Sequence, residues 1–433
     1  MENQQSPGLV RAMGRWTLAA LVINSIIGSG IFGLPSVVAG YLGVWSPLAY
    51  LLGALIMAVI VGCLAEVASQ FGESGGPYLY SREAFGRFAG IEAGWLSWLS
   101  RNAAVAAAIN LFVNYLAQFW PAAQEALPRS AISTILIGLL ALVNYRGVRS
   151  GAAASNVFTV AKLSALFGFG AGGAVFLLRT GVAAVPHAAT AAPAFPLRNW
   201  FEAMLVIVFA YAGYEGAVVP MAEARDPQRD LPFALFTALG TTTALYCLIQ
   251  YVVVIVLPAA AATDRPLADA ARAMWGEWGA SLIAAAALVS VYGFLSAHTL
   301  NSPRLTFAFG ERGDFPALFA RIHPRYRTPH VSILVFAGFV WVLAVFGNFK
   351  WNVIISSVSR LFVYILVCAA LPVLRRKRPA APAFRVPAGD FFAFLGVALM
   401  LLLVSRMRTT EWSVILATMA IALANWIWVR KRA

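Results

Sequence analysis

From Trp16 to Val44 the chain runs without a single Asp, Glu, Lys or Arg, a length that suits a helix crossing about 30 Å of hydrocarbon. Stretches of this kind recur along the whole sequence. Lipid offers the backbone no hydrogen-bond partner, so segments that cross it must satisfy their peptide groups internally, as helices do. Composition agrees: 61% of residues are apolar and 12% charged, with a mean hydropathy of +0.76, outside the range of soluble globular chains.

The hydropathy pattern predicts an all-α polytopic membrane protein with twelve transmembrane helices. These are Leu18–Leu42, Ser46–Phe71, Phe88–Phe119, Ala131–Asn144, Val157–Leu178, Phe201–Ala222, Phe233–Leu257, Gly279–Phe309, Val331–Phe346, Val353–Leu374, Phe391–Val404 and Val414–Val429. The connections are short. The longest, Thr180–Trp200 and Gly310–His330, leave no room for a soluble domain, so residues 1–433 are expected to form one transmembrane domain. The polar start Met1 to Arg15 leads into a span too long for a cleavable signal peptide.

A net charge of +14 invites a nucleic-acid reading, but placing the basic residues on the span map removes it. Most of them, including Arg82, Arg87, Arg304, Arg312, Arg325, Arg375, Arg376, Lys377, Arg378, Arg430 and Lys431, fall on the side that holds both termini. The positive-inside rule puts that side in the cytoplasm. The charge describes a multi-pass protein of the cell (inner) membrane with both termini cytoplasmic, and no nucleic-acid partner is expected. Cys63, Cys247 and Cys368 lie in apolar runs without metal or disulfide spacing, and His187, His298, His323 and His330 show no ligand spacing. No Gly-rich phosphate loop or nucleophile–base pair points to an enzyme, and no cofactor or metal is expected.

One part of the first span resists the plain helical reading. In Asn24-Ser25-Ile26-Ile27-Gly28-Ser29-Gly30-Ile31-Phe32 two glycines flank a serine at mid-membrane depth. Glycine costs roughly 1 kcal/mol relative to alanine in a helix interior, and unwound backbone cannot face lipid. Close helix packing through small residues would explain the glycines equally well. Span 6 supplies a counterpart, Phe209-Ala210-Tyr211-Ala212-Gly213-Tyr214-Glu215-Gly216, with two glycines and a carboxylate mid-span. Paired interruptions in corresponding halves of a chain are a mark of transporters with inverted repeats. The offset of five spans inverts the second unit.

These stretches also carry a family resemblance. Gly28-Ser29-Gly30-Ile31-Phe32 with Pro35 resembles the span 1 signature of the amino acid–polyamine–organocation (APC) superfamily of permeases. Gly75-Gly76-Pro77-Tyr78-Leu79-Tyr80 with Glu83-Ala84-Phe85-Gly86 resembles the family's first cytoplasmic loop. Glu223-Ala224-Arg225-Asp226-Pro227 with Leu231-Pro232 resembles the segment after span 6. Ser302-Pro303-Arg304 and Arg312-Gly313-Asp314-Phe315-Pro316 resemble the end of span 8. The resemblance implies a LeuT-like five-plus-five inverted repeat, about 17–178 and about 199–374, with discontinuous helices 1 and 6. Two extra C-terminal helices follow at about 389–430. It implies secondary transport of amino acids or polyamines, by exchange or proton coupling. The partners are then an amino acid substrate, membrane lipids and protons.

Both breaks suit such a substrate. A half-helix N-terminus offers unpaired N–H groups to a carboxylate, here those of Ser29, Gly30 and Ile31, beside Ile27 and Gly28. By resemblance, the carbonyls of Ile26, Phe209 and Ala212 take the ammonium, and Gly213 shapes the second break. A zwitterion satisfies both poles without a charged side chain, which favours neutral amino acids. Polyamine or cationic amino acid transport on the same fold, or sodium symport, are the alternatives.

Ionisable groups inside spans are functional candidates. Lys162 resembles a lysine that, in sodium-independent members, sits where sodium-coupled relatives bind an ion; it can hold the unwound part of span 1, or snorkel to the surface. Glu215 resembles a pH-sensitive glutamate of some exchangers, or else ties down loose backbone. Phe209 resembles an aromatic gate. Asn102 resembles a pocket-lining asparagine. His298 stands where many members place a tryptophan and can bond a substrate side chain. Arg101 and Arg360 need a partner. For Arg101 an acidic substrate group or an internal pair with Glu66 or Glu215 is expected.

Overall fold

A computed structural model describes residues 14–71, 75–147, 152–181, 196–217, 227–379 and 384–431. Among them all regular structure is helical. Eight helical stretches are long and apolar enough to cross a membrane, and the apolar helices His330–Phe346 and Gly389–Val404 are shorter.

Span 1 is two helices, α1 (Arg15–Ile26) and α2 (Gly30–Leu42). A 3-10 turn at Gly43–Trp45 leads into α3 (Ser46–Ser69). Next come α4 (Gly76–Phe85), α5 (Arg87–Leu116), α6 (Ala126–Arg146) and α7 (Ala152–Thr180). Span 6 is again split, into α8 (Leu197–Ala210) and the single turn α9 (Tyr214–Ala217). The chain continues through α10 (Pro227–Val256), α11 (Pro266–Glu311), α12 (His330–Phe346), α13 (Phe349–Lys377), α14 (Gly389–Val404) and α15 (Thr409–Arg430). Each of the twelve predicted stretches overlaps one of these helices or helix pairs, residues 218–222 of the sixth lying outside the described residues.

Two helices lie where connections were expected. One is α4, in the Gly75–Gly86 segment. The other is the first part of α11, from Pro266 to the kink at Gly276, where φ is 75° and ψ −166°. That left-handed backbone suits glycine, and it separates a short helix carrying Asp269 and Arg272 from the apolar rod that follows. The stretch before Gly279 is therefore helical, not an open loop.

The centre of the bundle is α5, packed on α13, α11 and α4. Its polar contacts hold that packing. Ser100 Oγ donates to the Ser356 carbonyl over 2.9 Å and Ser356 Oγ to that of Ser100 over 2.8 Å. Asn352 Nδ2 donates to Asn110 Oδ1 over 3.0 Å. Buried polar groups satisfied in this way fix one register between two apolar rods.

At one end of the bundle, charges tie the connections together. Asp314, fully buried, accepts from Arg82 (2.8 Å), Arg87 (2.5 Å) and Tyr78, while Asn425 of α15 donates to its carbonyl over 2.7 Å. Burial and the Asp314 hydrogen bond raise the Tyr78 phenol above its ordinary value of 10.0. Glu66, also buried, takes two bonds from Arg375 (2.6 and 2.8 Å) and one from the Val386 amide (2.7 Å). The suggested Glu66–Arg101 pair is thus corrected: the partner of Glu66 is Arg375.

Candidate functional site

The first break is a compact backbone turn. Ile27 leaves the helix at φ −72° and ψ 84°, and the Gly28 amide donates to the Ile26 carbonyl over 2.8 Å, the pattern of an inverse γ-turn. α2 then starts at Gly30 with Ser29 as its N-cap, yet the Ser29 side chain caps nothing. Its hydroxyl is buried and has no hydrogen-bond partner among the described residues. The amides of Ser29, Gly30 and Ile31 find no acceptor there either. These are the orphan donors of a helix start, at the positive end of its dipole. Two aromatic rings close over the turn: Phe209 against Gly30 and Phe294 against Gly28.

The second break lies directly against the first. Tyr211–Gly213 form a turn between α8 and α9, and Gly213 adopts a φ of 118°. A methyl group there would overlap the Ser25 carbonyl oxygen, so both the backbone angle and the approach require glycine. Ser25 Oγ donates to the Gly213 carbonyl over 2.6 Å. Glu215 is held on both oxygens: it accepts from the Gly213 amide (2.9 Å) and from the Tyr364 hydroxyl (2.5 Å). Arg360 stands 3.9 Å away and donates to Ser100 Oγ over 2.9 Å. Glu215 thus ties loose backbone, and it is the partner that Arg360 needed.

Lys162 reaches the break from α7. Its ammonium, on a side chain buried in the bundle, donates to the carbonyls of Asn24 (2.8 Å) and Ile27 (2.5 Å). In an unbroken helix these oxygens would pair with the amides of Gly28 and Ile31. The γ-turn diverts the first and the new helix start releases the second, so the ammonium replaces two lost helical bonds at the negative end of α1.

Of the carbonyls assigned to an ammonium, Ile26 O already accepts from Gly28 and, over 3.4 Å, from Tyr246. Phe209 O accepts from the Ala212 amide over 3.2 Å. A carbonyl oxygen has two lone pairs, so the Ile26 oxygen is fully engaged in this arrangement while that of Phe209 keeps one beyond its bond to Ala212.

Asn102 is fully buried. Its Nδ2 donates to the Trp98 carbonyl over 2.7 Å and its Oδ1 has no partner among the described residues. His298 stacks on Phe294 with ring centroids 3.9 Å apart, and its Nδ1 lies 3.1 Å from the Phe294 carbonyl. That geometry assigns the proton to Nδ1 and leaves Nε2 as an acceptor. His298 meets the first break through Phe294. Arg101 follows Ser100 on α5, only partly buried, and no carboxylate of the described residues lies within ion-pair distance of it. Glu215, Arg360 and His298 are the ionisable groups in its electrostatic surroundings.

Sequence reasoning missed Ser25, Phe294, Tyr364 and Tyr246. For Tyr364 a signal existed: it is four residues after Arg360, on the same helix face. Residues 223–226 of the acidic–proline segment lie outside the described residues, so that resemblance is not tested by geometry.

Comparison with known proteins adds independent weight. The sequence model of a family described as "Amino acid permease" matches residues 13–424. The serine/threonine exchanger SteT of Bacillus subtilis (strain 168) is 27% identical over 405 residues, covering 92% of this chain and 91% of the relative. The branched-chain amino acid permease BcaP of the same organism is 24% identical over 417 residues, covering 92% and 88%. A methylthioribose transporter, also from that organism, is 27% identical over 406 residues, covering 89% and 86%.

Proposed function

Since the chain belongs to the amino acid permease family of the APC superfamily, we propose that it carries amino acids across the cell membrane by alternating access, without sodium, through exchange or proton coupling. Twelve crossings, a five-plus-five inverted repeat and cytoplasmic termini complete this reading. The observation that carries it is the set of donors at Ser29, Gly30 and Ile31, with the Ser29 hydroxyl, that find no partner among the described residues.

An α-carboxylate docks on those amides, where dipole and donors favour an anion. The α-ammonium takes the carbonyls of Phe209 and Ala212, and that of Ile26 in place of the long bond from Tyr246. Phe209 covers the bound molecule. Lys162 supplies the positive charge that a sodium ion would bring to the carbonyls of span 1, which supports sodium independence. Glu215 positions the second break.

The deciding experiment screens the twenty amino acids, common polyamines and methylthioribose for thermal stabilisation of the purified protein. Hits then enter counterflow assays in liposomes, with and without a pH gradient and with sodium replaced by choline. Stabilisation and counterflow by an amino acid are expected. Response to methylthioribose alone would favour the thio-sugar cargo named for one relative, and response to none would overturn the reading.

A further inference from the structure

We propose that Arg101 selects the cargo by its side chain, and that the cargo is an amino acid with an anionic side chain, aspartate or glutamate. The inference rests on the amino acid permease reading above and adds the substrate class.

Charge pairing around the breaks leads to it. Lys162 is committed to two backbone carbonyls. Arg360 is committed to Glu215 and Ser100. Glu215 has both oxygens engaged, by Tyr364 and the Gly213 amide. Arg101, one residue beyond the Ser100 that anchors Arg360, keeps a guanidinium with no carboxylate in ion-pair range among the described residues. Among the described residues, Lys162, Arg360 and Arg101 therefore stand around the breaks with Glu215 as the one carboxylate in their surroundings.

Intramembrane charges are paired or open to water, because an isolated one keeps neither hydration nor a counter-charge. On this proposal the anion arrives with the substrate when the site fills and water leaves. A substrate α-carboxylate does not serve, since the orphan amides of Ser29, Gly30 and Ile31 claim it. A second carboxylate, on the side chain, does. The planar fork of an arginine matches a carboxylate with two parallel bonds. The same surplus of positive charge disfavours polyamines and cationic amino acids. The neutral cargo expected from sequence assumed a site without a free charged side chain, and Arg101 removes that premise.

The test compares aspartate, glutamate, asparagine, glutamine, serine, leucine and lysine on the purified full-length protein, by thermal stabilisation and by counterflow in liposomes. Aspartate or glutamate should be preferred at least tenfold over its own amide. Arg101→Gln should erase that preference, and Arg101→Lys should restore part of it. A wild-type preference for a neutral or cationic amino acid would overturn the proposal whether or not the variants fold, and would leave the permease reading intact. Failure of all seven would overturn the proposal and leave the permease reading to the wider screen of the twenty amino acids.

Discussion

The Lys162 ammonium stands 2.5 Å from the Ile27 carbonyl oxygen, in the place where an intact helix would have put the Ile31 amide. A side chain from α7 thereby completes the end of α1 and leaves the start of α2 unpaired.

Removing that ammonium exposes two buried carbonyls, each costing about 1–3 kcal/mol when left without a donor. Lys162→Ala should therefore lower uptake into liposomes at least tenfold at equal protein content, while wild-type uptake stays unchanged when choline replaces sodium. Near-normal uptake by the variant would remove Lys162 from the mechanism.

Gly213→Ala adds a methyl group against the Ser25 carbonyl at a backbone angle that L residues avoid. Strain of this kind costs on the order of 1–3 kcal/mol before the steric overlap is counted. The variant should melt at lower temperature and lose counterflow. Gly240→Ala, on α10 with open space around it, should do neither and serves as the control.

Tyr364→Phe and Glu215→Gln separate two functions of one cluster. The first removes a single hydrogen bond, worth roughly 0.5–1.5 kcal/mol, and should reduce transport only a few-fold. The second leaves Arg360 without its counter-charge, so transport should fall by at least tenfold. Equal effects from the two variants would contradict this division.

At the ion-paired end, Asp314→Asn strands two arginines that share one buried carboxylate. Breaking such a pair typically costs about 3–5 kcal/mol, and a clear loss of thermal stability is expected. Tyr78→Phe tests pH. Because the folded phenol titrates above its ordinary value of 10.0, its share of stability is constant below about pH 10 and falls as pH rises through the folded value. Melting curves of wild type and variant should run parallel at neutral pH and converge in strong alkali; curves that stay parallel throughout would argue against it.

Much of this was legible in the chain. Gly28 and Gly30 marked the first interruption because glycine at mid-membrane depth is costly without a reason, and Lys162 stood out as a charge inside an apolar run. The pairing of Glu66 with Arg375 was not legible, since 309 residues separate them and either glutamate offered Arg101 a plausible partner. Phe294 and Tyr364 were hidden for another reason. An aromatic residue in an apolar span looks the same whether it packs a core or covers a break. The short helices at Gly76 and Pro266 escaped because neither has the length or apolar run that identifies a crossing, and packing rather than composition holds them.

Ser25 and Gly213 meet so closely that the two interrupted helices share one cradle. Neither half can be widened without forcing the other aside. A descendant of this protein that acquires a different cargo must therefore leave the cradle alone and change the walls that look onto it, on α5, α11 and α13.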